Sequence, residues 1–334
     1  MTPAIFGLSG PVLTDSERAF FRDADPAGYI LFGRNIENRA QLRGLTDDLR
    51  SLHGREHLLI SIDQEGGRVA RMKPPQWPAY PAGWAFAQLW QLAPASAIEA
   101  ARSNAQLLGL DLAEVGITVD YAPLLDVRQP GAHDVIGDRA LGDEPLQVAA
   151  LGRAVLDGLS RAGVTGCIKH MPGHGRAMVD SHKEMPVVEA SVEEMEADLA
   201  PFTKLHDAPI GMTAHLLFKA WDRDNPATLS KRIIADVIRG QIGFDGLLLT
   251  DDIDMQALGG TIPERSERAI AAGCDLVLNC WGKMDDMEGI AACLPGMSPQ
   301  TAKRLDSALT FPKVERTDAK QLRATRDALL DLVA

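Results

Sequence analysis

A chain of 334 residues with 34 basic and 46 acidic side chains, formal charge −12, has room for one (β/α) barrel of about 250 residues with insertions, or for two ordinary domains. The acidic balance, without any run of like charge, argues against nucleic acid as a partner. The opening MTPAIFGLSGPVLTDSERAFF has no basic segment leading into an apolar one, and no apolar stretch approaches about 18 residues, so a cytoplasmic protein without a membrane partner is expected.

Taken in chain order, short apolar runs recur: AIFGLSG (4–10), GYILF (28–32), LLISID (58–63), ITVDYAPLLDV (117–127), VTGCIKH (164–170), PIGMTAH (209–215), GLLLTDD (246–252) and DLVLNC (275–280). They are too uniformly apolar for one-sided sheets and predict parallel strands buried on both faces. Between them, residues 144–163 carry Val148, Leu151, Val155 and Leu159 at spacings of three and four, which predicts a helix stopped by Gly163. Residues 230–243 predict a helix capped by Ser230, and 317–333 an amphipathic closing helix with Leu322, Leu329, Leu330 and Val333 on its apolar side. The proline-rich segment 73–84 predicts a stiff surface loop. Cys167, Cys274, Cys280 and Cys293 lack metal-type or CxxC spacing and are expected to be reduced, mostly buried thiols.

Strand–helix alternation indicates an α/β fold. Eight strand candidates, with neither GxGxxG after the first strand nor a GxxxxGK[ST] loop, favour a single (β/α)8 TIM-like barrel over an open sheet. We expect one domain over residues 1–334, and a monomer in the absence of any interface signature.

In such barrels the chemistry follows the C-terminal ends of the strands. There the sequence places Asp63, Arg68 and Arg71, then Arg139, then Lys169 and His170, then Asp251 and Asp252. A lone strand-end aspartate is usually a helix cap, and an arginine usually a surface ion-pair partner, but their coincidence at four strand ends points to a site. In KHMPGHGRAMVDSHKEMP (169–186), Pro172, Gly173 and Gly175 exclude a helix, so His170 and His174 cannot share a helical face as zinc-binding histidines do. A loop metal site built from His170, His174 or His182 with Asp180 stays open, although no metal or cofactor is expected. Asp180 next to His182 suits a general acid/base, and equally a surface pair without a task.

IKHMPGHGRAMVDSHKEMP closely resembles a signature of glycoside hydrolase family 3, in particular of its bacterial β-N-acetylhexosaminidases of the peptidoglycan-recycling type. GYILFGRNI, LLISIDQEGGRVAR, GITVDYAPLLDV, VIGDRALG, MTAHLL, PATLS and GFDGLLLTDDIDM resemble further blocks in the same order, from about residue 7 to residue 280. The resemblance implies a barrel enzyme that removes terminal β-linked N-acetylglucosamine with retention, through a covalent glycosyl-enzyme. It implies Asp251 as nucleophile, His182 as acid/base assisted by Asp180, and Asp63, Arg71, Arg139, Lys169 and His170 as sugar-binding residues. Met171 stands where the family usually has phenylalanine, a change of packing. The implied substrate is a small amino sugar or muropeptide such as GlcNAc-anhydroMurNAc. A phosphorylase on the same site is the alternative, because a histidine acid/base would not repel incoming phosphate. A Schiff-base lyase using Lys169, with His170 as proton shuttle, is a more distant one.

Overall fold

A computed structural model describes residues 1–129, 131, 136–177, 185–310 and 317–333. Its strands are β1 (Thr2–Gly7), β2 (Pro26–Leu31), β3 (Leu59–Ile62), β4 (Val119–Asp120), β5 (Thr165–Met171), β6 (Val187–Val188), β7 (Ile210–Thr213), β8 (Leu217–Phe218), β9 (Leu247–Asp252) and β10 (Leu276–Asn279). Eight of them close a barrel in the order β1-β10-β9-β7-β5-β4-β3-β2, every pair parallel, while β6 and β8 form a separate two-stranded ribbon. Each of the eight apolar runs supplies one barrel strand, as a (β/α)8 TIM-like barrel requires.

The run 117–127 pairs far less than its apolar length suggests. Pro123 has no amide to donate to the ladder, and beyond Asp120 the contact with β5 reduces to isolated bonds such as Leu125 N–H to the Lys169 carbonyl at 2.7 Å. The segment 73–84 is a loop up to residue 82 and exposed at residues 73–76, as expected, but Trp77 and Tyr80 are buried, and the Tyr80 hydroxyl donates to Asp111 at 2.7 Å.

The helix predicted at 144–163 spans Pro145–Arg161, with Gly163 in the left-handed region. Ser230 Oγ caps the next predicted helix by accepting from Ile233 N–H at 3.1 Å, but residues Ile233–Gln241 wind as a π-helix. The closing helix, Ala319–Leu330, lies against the long helix Pro94–Glu114, where Arg326 donates to Asn104 at 3.3 Å. Cys167, Cys274 and Cys280 are buried free thiols, and Cys293 is half-buried. No helix among the described residues is long and apolar enough to cross a membrane.

Two apolar clusters divide the barrel. Ile5, Leu59, Val119, Cys167, Ile210, Leu247, Leu249, Leu276 and Leu278 fill its interior, joined by Leu305 and Leu309 from the segment that closes the bottom. Ala4, Phe6, Ile60, Ile62, Ile168, Leu248 and Val277, in alternate positions, belong to the layer between strands and helices.

Candidate active site

That alternation decides which side chains meet at the barrel mouth. Carrying the inward phase one pleat further takes Leu59 through Ser61 to Asp63, Val119 to Tyr121, Cys167 to Lys169, and Leu249 to Asp251. Consecutive residues on a strand normally face opposite ways, yet both Lys169 and His170 face the mouth. The ladder between β5 and β7 is irregular from Ile168 to Met171, and such an irregularity re-aims side chains. The result is a cavity of about 620 Å3 lined by Asp63, Arg71, Arg139, Lys169, His170 and Asp251, with Tyr121, Met212 and Leu278 below.

One wall is a buried ion cluster. Glu65 takes a bidentate pair of bonds from Arg139, both at 2.8 Å, and a third from Lys169 Nζ at 2.7 Å. Lys169 also reaches Asp63 Oδ1 at 3.1 Å, and Arg71 holds Asp63 Oδ2 at 3.2 Å. Burial alone would raise the Glu65 carboxyl, but Arg139 and Lys169 hold it below the usual carboxylate range. Burial would likewise discharge Lys169, but Glu65 and Asp63 keep its ammonium above the usual range. Gln64 fixes the loop that carries these groups: its amide oxygen accepts from Arg71 N–H at 2.7 Å and Met72 N–H at 3.0 Å, and its own backbone amide donates to buried Asp120. Arg68 pairs instead with Asp138 at the rim, at 3.0 Å.

Asp126, wholly buried, organises the next wall. It faces His170 Nδ1 at 2.8 Å and accepts from the backbone amides of His170 at 3.2 Å and His174 at 2.7 Å. Burial works to raise its carboxyl, but the His170 ring, and after it the His174 ring and amide, bring it below the ordinary value. An ionised Asp126 assigns the Nδ1–H tautomer to His170. His174, in the bend that Pro172, Gly173 and Gly175 impose, also lines the cavity, its ring centroid 5.5 Å from that of His170. Burial lowers its pKa to about 4, which makes it neutral near pH 7. The bend itself needs Gly175, where a Cβ would lie 1.9 Å from the Val127 carbonyl oxygen.

Opposite stand two adjacent carboxyls with different fates. Burial opposes ionisation of Asp251, but the His170 and His215 rings and the Asp252 amide, which donates to Asp251 Oδ1 at 2.8 Å, hold its pKa down to about 2. Asp252 accepts from the amides of Cys280 and Asp254 at 3.2 and 3.3 Å, yet burial and the neighbouring Asp251 push it up to about 6. His215 is locked between Thr228 Oγ1 at 2.7 Å and the Asp252 carbonyl at 2.9 Å, and burial keeps it neutral.

Thus Asp63, Arg71, Arg139, Lys169, His170 and Asp251 converge, while Asp180 and His182 lie outside the described residues. Glu65, Asp126 and His215 join the site without having been singled out in the sequence. Asp126 carries the strand-end signal used for the others, closing the run APLLDV. Among the described residues no group of three or more His, Cys, Asp or Glu is placed to hold a metal ion. An ionised, half-buried carboxylate in such a cavity is equipped to attack an electrophilic carbon.

The model of the glycosyl hydrolase family 3 N-terminal domain matches residues 12–310. A β-hexosaminidase of Chromobacterium violaceum is 38% identical over 330 residues, covering 97% of this chain and 91% of its own. One from Bordetella avium is 38% identical over 283 residues, covering 83% and 80%. Among solved structures, NagZ from Neisseria gonorrhoeae in complex with N-trifluoroacetyl-D-glucosamine superposes with a TM-score of 0.88 at 30% identity, over 100% of this chain and 98% of that one.

Proposed function

This chain belongs to glycosyl hydrolase family 3 and is a β-N-acetylhexosaminidase, and from that premise we propose that it is a retaining exo-enzyme releasing terminal non-reducing β-linked GlcNAc through a glycosyl-Asp251 intermediate. The observation that carries the reading is the Asp251 carboxylate, held ionised in a cavity that Asp63, Arg71, Arg139, Lys169 and His170 also line. The N-acylated glucosamine bound by the gonococcal relative supports the choice of sugar.

In this mechanism Asp251 attacks the anomeric carbon as the bond to the leaving oxygen breaks, and the His182 imidazolium gives that oxygen its proton. Water then attacks the glycosyl ester and passes its proton to His182, freeing Asp251. Asp180 positions the imidazole. Lys169, Arg71 and Arg139 donate to hydroxyls and the acetamido carbonyl, while Asp63 and the unprotonated Nε2 of His170, whose Nδ1–H faces Asp126, accept from hydroxyls. GlcNAc-anhydroMurNAc muropeptides of cell-wall recycling are the substrate that fits this family reading. The lyase reading loses support, because a Schiff base needs a neutral amine and Lys169 is held charged by two carboxylates.

Chromogenic β-GlcNAc, β-glucoside and β-GalNAc substrates, assayed with and without phosphate, test the proposal. It expects β-GlcNAc hydrolysis with free sugar as product. Cleavage of the β-glucoside in preference, or sugar 1-phosphate as the main product, contradicts it.

A further inference from the structure

Of the five tryptophans, Trp77 and Trp221 are buried, and Trp84 and Trp90 are half-buried against apolar clusters. Trp281 is 56% exposed, and it is the one strongly exposed large apolar side chain among the described residues that lines the cavity holding Asp251. Leaving an indole in water is unfavourable unless something apolar covers it.

Its placement is specific. Trp281 lies two residues beyond β10, directly after Cys280, whose amide donates to Asp252 beside Asp251. The loop is rigid. The Cys280 carbonyl accepts from the Arg34 guanidinium, and Gly282, at φ +66°, packs so closely on Leu8 that a Cβ would lie 2.7 Å from its carbonyl carbon. Lys283 Nζ stands 5.9 Å from the indole centroid, and its charge is met by Asp254 at 3.0 Å and Asp286 at 3.7 Å. The indole is therefore an exposed aromatic face on an anchored backbone, beside a lysine whose charge is matched.

Asp63, Arg71, Arg139, Lys169 and His170 suit the hydroxyls and amide of one sugar, whereas Trp281 offers chiefly an apolar ring face, with a single N–H at its edge. We propose that Trp281 is the stacking platform for the group on the leaving side of the scissile bond, and that this group is a second pyranose ring presenting its apolar C–H face. The proposal rests on the glycosidase reading of the same cavity. A simple alkyl aglycone leaves the indole uncovered, so the platform selects disaccharides over small glycosides.

The test compares kcat/KM for GlcNAc-β-1,4-GlcNAc with that for methyl β-N-acetylglucosaminide, in wild type, Trp281→Ala and Trp281→Phe. The ratio of the two is expected to fall about tenfold in Trp281→Ala and to recover largely in Trp281→Phe. Taking a ratio on one enzyme removes any loss of folded protein. An unchanged ratio in Trp281→Ala, with or without a change in oligomeric state, overturns the platform. Release of GlcNAc from neither substrate by the wild type overturns the glycosidase reading instead.

Discussion

Asp126 grips His170 at two points, facing ring Nδ1 at 2.8 Å and accepting from the backbone amide at 3.2 Å. The ring and the chain that carries it are thereby oriented by one buried carboxylate. Asp126→Asn keeps the volume but removes the charge that assigns the His170 tautomer. We expect kcat/KM to fall about 10- to 100-fold, mainly through KM, with little change in thermal stability. Unaltered kinetics would show that the orientation of His170 does not matter to turnover.

Glu65 neutralises Arg139 and Lys169 together. Glu65→Gln removes the carboxylate that both cations face, and urea denaturation should register a loss of about 3–5 kcal/mol. A loss below about 1 kcal/mol would mean that water already screens the cluster.

Asp63, by contrast, is partly open to the cavity, and Lys169 keeps its Glu65 partner without it. Asp63→Ala should therefore raise KM roughly 5- to 100-fold and change kcat much less. Loss of kcat with an unchanged KM would assign Asp63 to the chemical step.

The position of Asp252 gives a pH prediction. Its folded pKa, about 6, lies above the ordinary value of 3.8, so the folded protein binds the extra proton. The associated stability is complete below the unfolded pKa and is lost as pH rises through the folded one. Asp252→Asn retains an acceptor for the Cys280 and Asp254 amides but cannot ionise. The melting temperature of the variant relative to wild type should rise between about pH 4 and about pH 8. A constant difference across that range would show that Asp252 titrates normally.

Much of this was legible in the sequence because a barrel strand obeys one period. Apolar runs marked the strands, and the first charged residue in inward phase, as at Asp63, Lys169 and Asp251, marked the mouth. Partnership across the chain was not legible. Glu65 finds Arg139 across 74 residues, and nothing local distinguishes it from a solvated glutamate. The helix Pro94–Glu114 also escaped periodicity, since it buries Ser103, Asn104 and Gln106 as well as its alanines and leucines. Packed against the helices Pro145–Arg161 and Ala319–Leu330 as well as Gly83–Leu92, it buries more than one stripe, so no single apolar face stands out. Residues 117–127 read as a longer strand than they form because apolarity reports burial, whereas pairing depends on amides that Pro123 lacks.

The central claim is that Asp251 carries the sugar between the two halves of the reaction. A slow substrate, 5-fluoro-GlcNAc fluoride, should accumulate the glycosyl-enzyme for analysis by peptide mass spectrometry. The account predicts one sugar added to the peptide containing Asp251, fragmentation placing it on that residue rather than on Asp252, and no label in Asp251→Ala. Label on another residue, or turnover by Asp251→Ala near the wild-type rate, would contradict it.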